Sequence, residues 1–347
     1  MARLRHFPMP ALLFCLAAWS APDPLSAGAP PDTQLRSPRF RGNVEMVVVR
    51  ASVTDSASRQ VVGLEKKHFK VFENKVEQPV TYFSRDNAPL SVGIVLDVSE
   101  SMTESLGSAR SSVQRFLRLG TPQDEYFLVT FNERVWLAQD FTPATTEVHN
   151  RIEVLQARGY TALYDAVYVG LQKLAEAHNT KKVLLVVTDG VDNSSQHTLS
   201  DLKDLAGESD IQLYVIGQGK GDIVLPFIFP FPPAGSGRST IREIAGLTGG
   251  RAFFPKSLDS LDYYCDLIHS ELRSQYLLGY IPTVSSRNGK WRKIKVQVTP
   301  PDGTARLVVQ ARAGYFAPRQ DDRPKHPATE RRNKEGERNA REGFSTR

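Results

Sequence analysis

The chain has 347 residues, enough to bury a substantial core and to hold two folded units. Its 44 basic and 38 acidic residues leave a formal charge of +6. Part of that excess lies in residues 319–347, where both signs are mixed, which argues against a nucleic-acid-binding arm. The two cysteines are Cys15 and Cys265. Because the first falls in a segment read below as cleaved, no intramolecular disulfide is expected in the mature chain.

Residues 1–29 read as a secretory signal and linker. Arg3 and Arg5 precede an apolar stretch at residues 11–19 and small residues follow it, with cleavage after Ser20 or after Ala29. The apolar stretch is too short to span a bilayer, so the mature chain is expected to carry no transmembrane segment and to be periplasmic or secreted. Phe14 stands before Cys15 where a lipoprotein signal needs a small residue.

Residues 42–88 read as half of a β-sandwich, with strands at 44–54, 69–73 and 78–83 and a turn at Asn74, which tolerates a left-handed backbone. From residue 90 to 275 the pattern changes to alternating strand and helix. Strands are predicted at 93–97, 126–131, 135–141, 183–188, 212–217 and 251–254. Helices are predicted on the stripe Leu106, Ala109, Val113, Phe116 and Leu117, at 146–156, from Thr161 onward, and at 199–206, 240–247 and 258–274. Such alternation calls for an α/β fold, a doubly wound, mostly parallel sheet with helices on both faces. Cys265 falls on the stripe Leu261, Cys265, Ile268, Leu272 and reads as a core residue.

Residues 276–316 return to strand patterns at 277–281, 291–299 and 306–316. Neither flank has enough strands for a stable sandwich. In a doubly wound domain the first strand starts, and the last helix ends, at the edge opposite the strands' carboxyl ends. The two flanks should therefore emerge together and pair into one small sandwich with the α/β domain inserted in it. Residues 317–347, charged and nearly free of apolar side chains, read as a disordered basic tail.

Chemistry concentrates at strand ends. The apolar run ending at Leu96 is followed by Asp97, Ser99 and Ser101. If the chain stays extended there, alternation points these three to one side. A second apolar run, 183–187, ends at Asp189. Open α/β sheets bind ligands at the carboxyl ends of their strands. Thr161 follows Gly159 and Tyr160 at a helix start, where it can turn toward the same point. Two carboxylates and three hydroxyls are hard oxygen donors that favour Mg2+, with Mn2+ or Ca2+ as alternatives, over zinc or copper.

The segments 97–102, 159–166 and 188–190 resemble the three loops of a von Willebrand factor type A domain. The resemblance implies a metal-ion-dependent adhesion site. In it Ser99, Ser101 and Thr161 would be direct or switchable ligands, and Asp97 and Asp189 would act through water. Segments 274–282, 291–296 and 314–316 are similar to the ending of an acidobacterial family of exported proteins related to that domain. The implied partner is a protein presenting Asp or Glu to the metal, and no nucleic acid. One departure is Glu100, at a position that is commonly Gly; its charge would either add a ligand or repel an acidic partner.

A second contact surface is expected in the loop 220–237, where Val224, Leu225, Phe227, Ile228, Phe229 and Phe231 form an apolar cluster. Left in water, each would forgo about 1.5–3 kcal/mol. The loop follows a strand's carboxyl end and reads equally as a lid on its own domain or, with Glu100, as part of a partner-binding surface. Each metal-site residue also has a local reading: Ser101 to Glu104 matches a capping box, Thr161 a helix N-cap and Asp165 a charge suited to a helix amino end. The chain shows no metal-binding spacing among its seven His, no nucleophile elbow and no phosphate loop. An enzyme is therefore not expected. The alternative is a metal-dependent hydrolase or phosphatase using the same ion.

Overall fold

The computed structural model describes residues 46–189, 192–217, 237–255, 257, 260–284, 287–301 and 306–319. The signal segment, the loop cluster from Val224 to Phe231 and nearly all of the basic tail lie outside the described residues.

The amino-terminal flank forms β1 (Val47–Thr54), β2 (Phe69–Glu73), β3 (Val76–Gln78) and β4 (Val80–Arg85). Asn74 and Lys75 both adopt positive φ, 47° and 73°, which lets two residues close the hairpin between β2 and β3. The strand expected at 78–83 is divided at Pro79, whose missing N–H cannot serve a ladder.

The central region follows as β5 (Leu90–Asp97), α1 (Leu106–Arg118), β6 (Glu125–Phe131), β7 (Val135–Thr142), α2 (Thr145–Glu153) and α3 (Leu163–Leu174). It continues with β8 (Lys181–Thr188), α4 (Leu199–Glu208), β9 (Ile211–Gly217), α5 (Gly237–Thr248), β10 (Ala252–Phe253) and α6 (Leu261–Arg273). Its six strands lie in the order β10, β9, β8, β5, β6, β7, with only β7 antiparallel to its neighbour. This is the doubly wound, mostly parallel sheet the pattern called for.

Strand β5 is buried at every position, and its alternation feeds two cores. Val92, Ile94 and Leu96 pack with residues of α1 and α6, while Val95 packs with α3, α4 and α5 on the other face. Helix α3 lies close on that face because Gly170 has no side chain: a Cβ there would stand 2.8 Å from Leu184 Cδ1. Cys265 is fully buried in the α1–α6 core, as its stripe implied.

The carboxyl-terminal flank supplies β11 (Tyr276–Tyr280), β12 (Trp291–Val298), β13 (Val308–Ala311) and β14 (Gly314–Phe316). Both four-stranded sheets mix the flanks: β13, β1, β11, β4 in one and β14, β12, β2, β3 in the other. Val47 pairs with Tyr280 and Ile294 with Glu73, and Val49, Val71, Tyr276, Leu278 and Ile294 share one core. The single strand expected at 306–316 is interrupted at Arg312. There the guanidinium turns to Gly207, Ser209, Gly314 and Asp210, and the chain passes from one sheet to the other.

The flanks leave the central region side by side, with the Asp86 N–H donating to the Gln275 carbonyl at 2.9 Å. The junction is charged, with Asp86 and Lys181 buried in it. Asp86 accepts from Arg50 at 2.9 Å and lies 3.3 Å from the Lys181 ammonium, while Asp210 binds Arg50 at 2.8 Å and Arg312 at 3.2 Å. All of this sits at the amino ends of the parallel strands, opposite the carboxyl ends where Asp97 and Asp189 lie.

Candidate functional site

Asp97 ends the central strand and is fully buried. Its carboxylate accepts from the Ser99 N–H at 2.8 Å and from the Thr188 hydroxyl at 2.5 Å. Thr188 ends the neighbouring β8, so adjacent strands fix this carboxylate between them. Burial, opposed by those hydrogen bonds and reinforced by the nearby Asp189 charge, pushes the Asp97 carboxyl up to about 6.

Ser99 keeps an extended backbone, φ −67° and ψ 166°. The chain does not stay extended to Ser101 as expected: Glu100–Thr103 is a 3-10 turn. The turn still brings the hydroxyls together, with Ser99 Oγ 3.1 Å from Ser101 Oγ. Ser101 then donates to Asp189 Oδ1 at 2.7 Å across 88 positions of sequence. Burial also raises the Asp189 carboxyl, against the pull of that hydrogen bond. A run of oxygens thus passes from Asp97 through Ser99 and Ser101 to Asp189.

Thr161 joins through its main chain. Its N–H donates to Asn193 Oδ1 at 2.9 Å, and its carbonyl accepts from the N–H groups of Asn193 and Ser194 at 3.0 and 3.2 Å. The side chain is buried, and among the described residues no hydrogen bond links its hydroxyl to the other four. Helix α3 starts at Leu163 with Ala162 at its cap, so Thr161 stands before the helix rather than opening it. The capping box read from Ser101 to Glu104 is absent as well. Helix α1 starts after Ser105, with no side-chain cap.

Main-chain bonds tie the three loops into one body. The Glu100 N–H donates to Gly159, Arg158 to Val98 and Ala162 to Asn132, at 3.0, 2.8 and 2.7 Å. Gly159 has φ 81°, and a Cβ there would fall 1.8 Å from Glu133 Oε2. Glu100 itself is exposed beside this junction.

Several positioning residues went unread in the sequence. Asn132 donates to the Arg158 carbonyl and accepts from the Arg134 N–H, both at 3.0 Å, which pins the second loop to the end of β6. Asp165, read as a charge suited to a helix end, instead accepts from the N–H groups of Gln196 and His197 and lies 2.7 Å from the His197 ring, latching the third loop to α3. The available signal was positional: Thr188 and Asn132 each lie at or just past the end of an apolar strand.

The arrangement suits a hard cation. Two partly or fully buried carboxylates stand with hydroxyls, and among the described residues no Lys, Arg or His pairs with either. Such charge is costly unless a cation or proton balances it. Among the described residues there is no group of three or more His, Cys, Asp and Glu that could hold a metal ion, so a cation here would need the hydroxyls to complete its shell.

Residues 92–191 match the model of the family described as von Willebrand factor type A domain, a stretch that contains all five candidate ligands. The chain therefore carries such a domain in its central region. No curated protein matches the chain significantly. Among solved structures, the von Willebrand factor domain of the type V pili tip protein of Porphyromonas gingivalis is 24% identical, with a TM-score of 0.29, over 30% of this chain and 39% of that one. An aerotolerance-related membrane protein of Bacteroides fragilis is 19% identical, with a TM-score of 0.43, over 53% of this chain and 98% of its own. A von Willebrand factor type A protein of Catenulispora acidiphila is 11% identical, with a TM-score of 0.46, over 79% and 75%. These are likenesses of fold. The chain spans about two-fifths of the pilus tip structure that it matches.

Proposed function

We propose that this chain is an exported protein-binding module in which Ser99, Ser101 and Thr161, with Asp97 and Asp189, hold a divalent cation whose remaining coordination position accepts an Asp or Glu of a protein partner. The observation that carries this reading is the run of oxygens from Asp97 to Asp189, drawn from two strand ends and holding two carboxylates with no cationic side chain paired to them among the described residues. Hydroxyl and carboxylate oxygens favour Mg2+, with Mn2+ or Ca2+ as alternatives. When bound, the cation supplies a fixed positive charge on which a partner carboxylate seats. Export is supported by the composition of residues 1–29 and by the resemblance of segments 274–282, 291–296 and 314–316 to the ending of the acidobacterial family of exported proteins.

The test is direct. Calorimetry of the purified mature chain should show saturable uptake of Mg2+, and capture of a partner from envelope extract should disappear with chelator or in Asp97→Ala while circular dichroism is unchanged. Capture that survives both treatments refutes the mechanism. An enzyme using the same ion would turn over a phosphate ester in the presence of Mg2+, which the binding reading expects to be absent.

A further inference from the structure

Beside the candidate metal centre, toward β6 and β7, the surface opens into a cleft of about 250 Å3. Its floor is Val98, Thr130 and Asn132, and its walls include Trp136, Val154 and Arg158. A cleft of this size takes one bulky side chain. Val98 lies between Asp97 and Ser99 in the chain. A trans peptide separates neighbouring Cα atoms by about 3.8 Å, so the floor begins one peptide from the proposed ligands. The same backbone builds both features, since the Val98 carbonyl accepts from Arg158 and its N–H donates to Phe131, each at 2.8 Å.

The lining indicates what fits. Of the lining residues, Trp136 is 42% exposed and Val154 76%, so apolar surface lies at the rim. The Asn132 amide on the floor donates to the Arg158 carbonyl and accepts from the Arg134 N–H, which fixes its orientation. Arg158 is exposed, and among the described residues no carboxylate pairs with it. An indole wall favours an offset or edge-on aromatic ring, and a guanidinium favours a ring face or an anion.

We propose that this cleft receives an aromatic side chain of the protein partner. The recognised element is then an extended segment with an acidic residue at the cation and an aromatic residue within about three positions of it, given roughly 3.3–3.6 Å per extended residue. The unpaired Arg158 complements the segment's negative charge. This rests on the metal-binding reading and adds to it the chemistry of the partner.

The test uses the full chain with Mg2+ and labelled glycine–serine peptides that carry one Asp and, two positions on, either Phe or Ala, read by fluorescence anisotropy. The Phe peptide should bind at least tenfold more tightly than the Ala peptide. Val154→Gln, at an exposed position that does not threaten folding, and Trp136→Ala should each cut that advantage below twofold while leaving the Ala peptide unchanged. Equal binding of the two peptides to the wild type, or an advantage that survives both substitutions, overturns the cleft assignment and leaves the metal reading standing if chelator still abolishes binding. Binding of both peptides that ignores chelator overturns the metal reading, and with it the acidic half of this proposal.

Discussion

Asp86, Asp124 and Asp210 lie just before the amino ends of β5, β6 and β9; Asp97 and Asp189 lie at the carboxyl ends of β5 and β8. The first group is paired with bases: Asp86 with Arg50 and Lys181, Asp124 with Arg273, Asp210 with Arg50 and Arg312. Among the described residues the second group has hydroxyl and amide donors only. Burial acts on Asp124 and Asp97 alike, but the outcomes differ. The N–H groups of Thr121 and Leu90 and the Arg273 guanidinium outweigh it and hold Asp124 below the ordinary carboxylate range, whereas Asp97 is pushed up to about 6. One end of the sheet thus uses charge to join two folded regions. The other, among the described residues, pairs its carboxylates with no base, a departure from local consistency of the kind found at functional sites.

The largest expected effect lies at the paired end. Asp86→Ala leaves Lys181, 1% exposed at its side chain, and Arg50 without their shared anion. Breaking a buried pair in this way costs about 3–5 kcal/mol, read as a fall in the urea midpoint. A loss below about 1 kcal/mol would mean that Asp210 alone balances the junction and that the contrast between the two ends is weaker than drawn.

At the unpaired end the expectation reverses. If a cation completes the site, Mg2+ at a hundred times its Kd should stabilise the wild type by about 2.7 kcal/mol, visible as a rise in melting temperature. Asp97→Asn keeps the shape and removes the charge, so in chelator it should melt no lower than the wild type, and it should not respond to Mg2+. A variant that melts far lower in chelator would show that the buried carboxylate is structural.

The contrast also has a pH signature. The Asp124 carboxyl is held below its ordinary value of 3.8, so the folded state binds fewer protons than the unfolded chain. Its contribution is therefore complete above the ordinary carboxylate range and is lost as pH falls through the depressed folded value. Asp124→Asn should be less stable than the wild type at pH 6, and its stability should fall less steeply below about pH 4. Parallel curves would remove Asp124 from the acid response.

How much of this was legible in the sequence follows from which patterns are periodic. The strand read at 93–97, which the structure extends back to Leu90, the stripe on α1 and the pairing of flanks that are each too short to fold alone follow from period and count. The two oxygen-rich strand ends were readable for the same reason: a polar residue that stops an apolar run stands out. What was not readable depends on turns and long-range register. The 3-10 turn at Glu100 re-aims Ser101, Asn132 and Asn193 clamp loops far from them in sequence, and Arg312 breaks a strand to reach Asp210. Asp165 shows the limit well. Its position in the first turn of α3 suits a local electrostatic role, yet its partners lie about thirty residues onward at Gln196 and His197.

The smallest effect concerns Glu100, whose charge stands exposed beside the uncompensated end. An exposed side chain away from packed features contributes within about 0.5 kcal/mol, so Glu100→Gln should leave the melting temperature nearly unchanged. Its influence belongs to encounter rather than to the fold. A like charge at the rim slows the approach of an acidic segment, and salt screens that repulsion over roughly 10 Å at 0.1 M. The variant should therefore bind the Asp and Phe peptide with a faster association rate at low salt, and the two proteins should converge as salt rises. If Glu100→Gln instead lowers the affinity for Mg2+ with no effect on association, Glu100 belongs to the cation's own shell, and the carboxyl end of the sheet holds three acidic groups where the present contrast counts two.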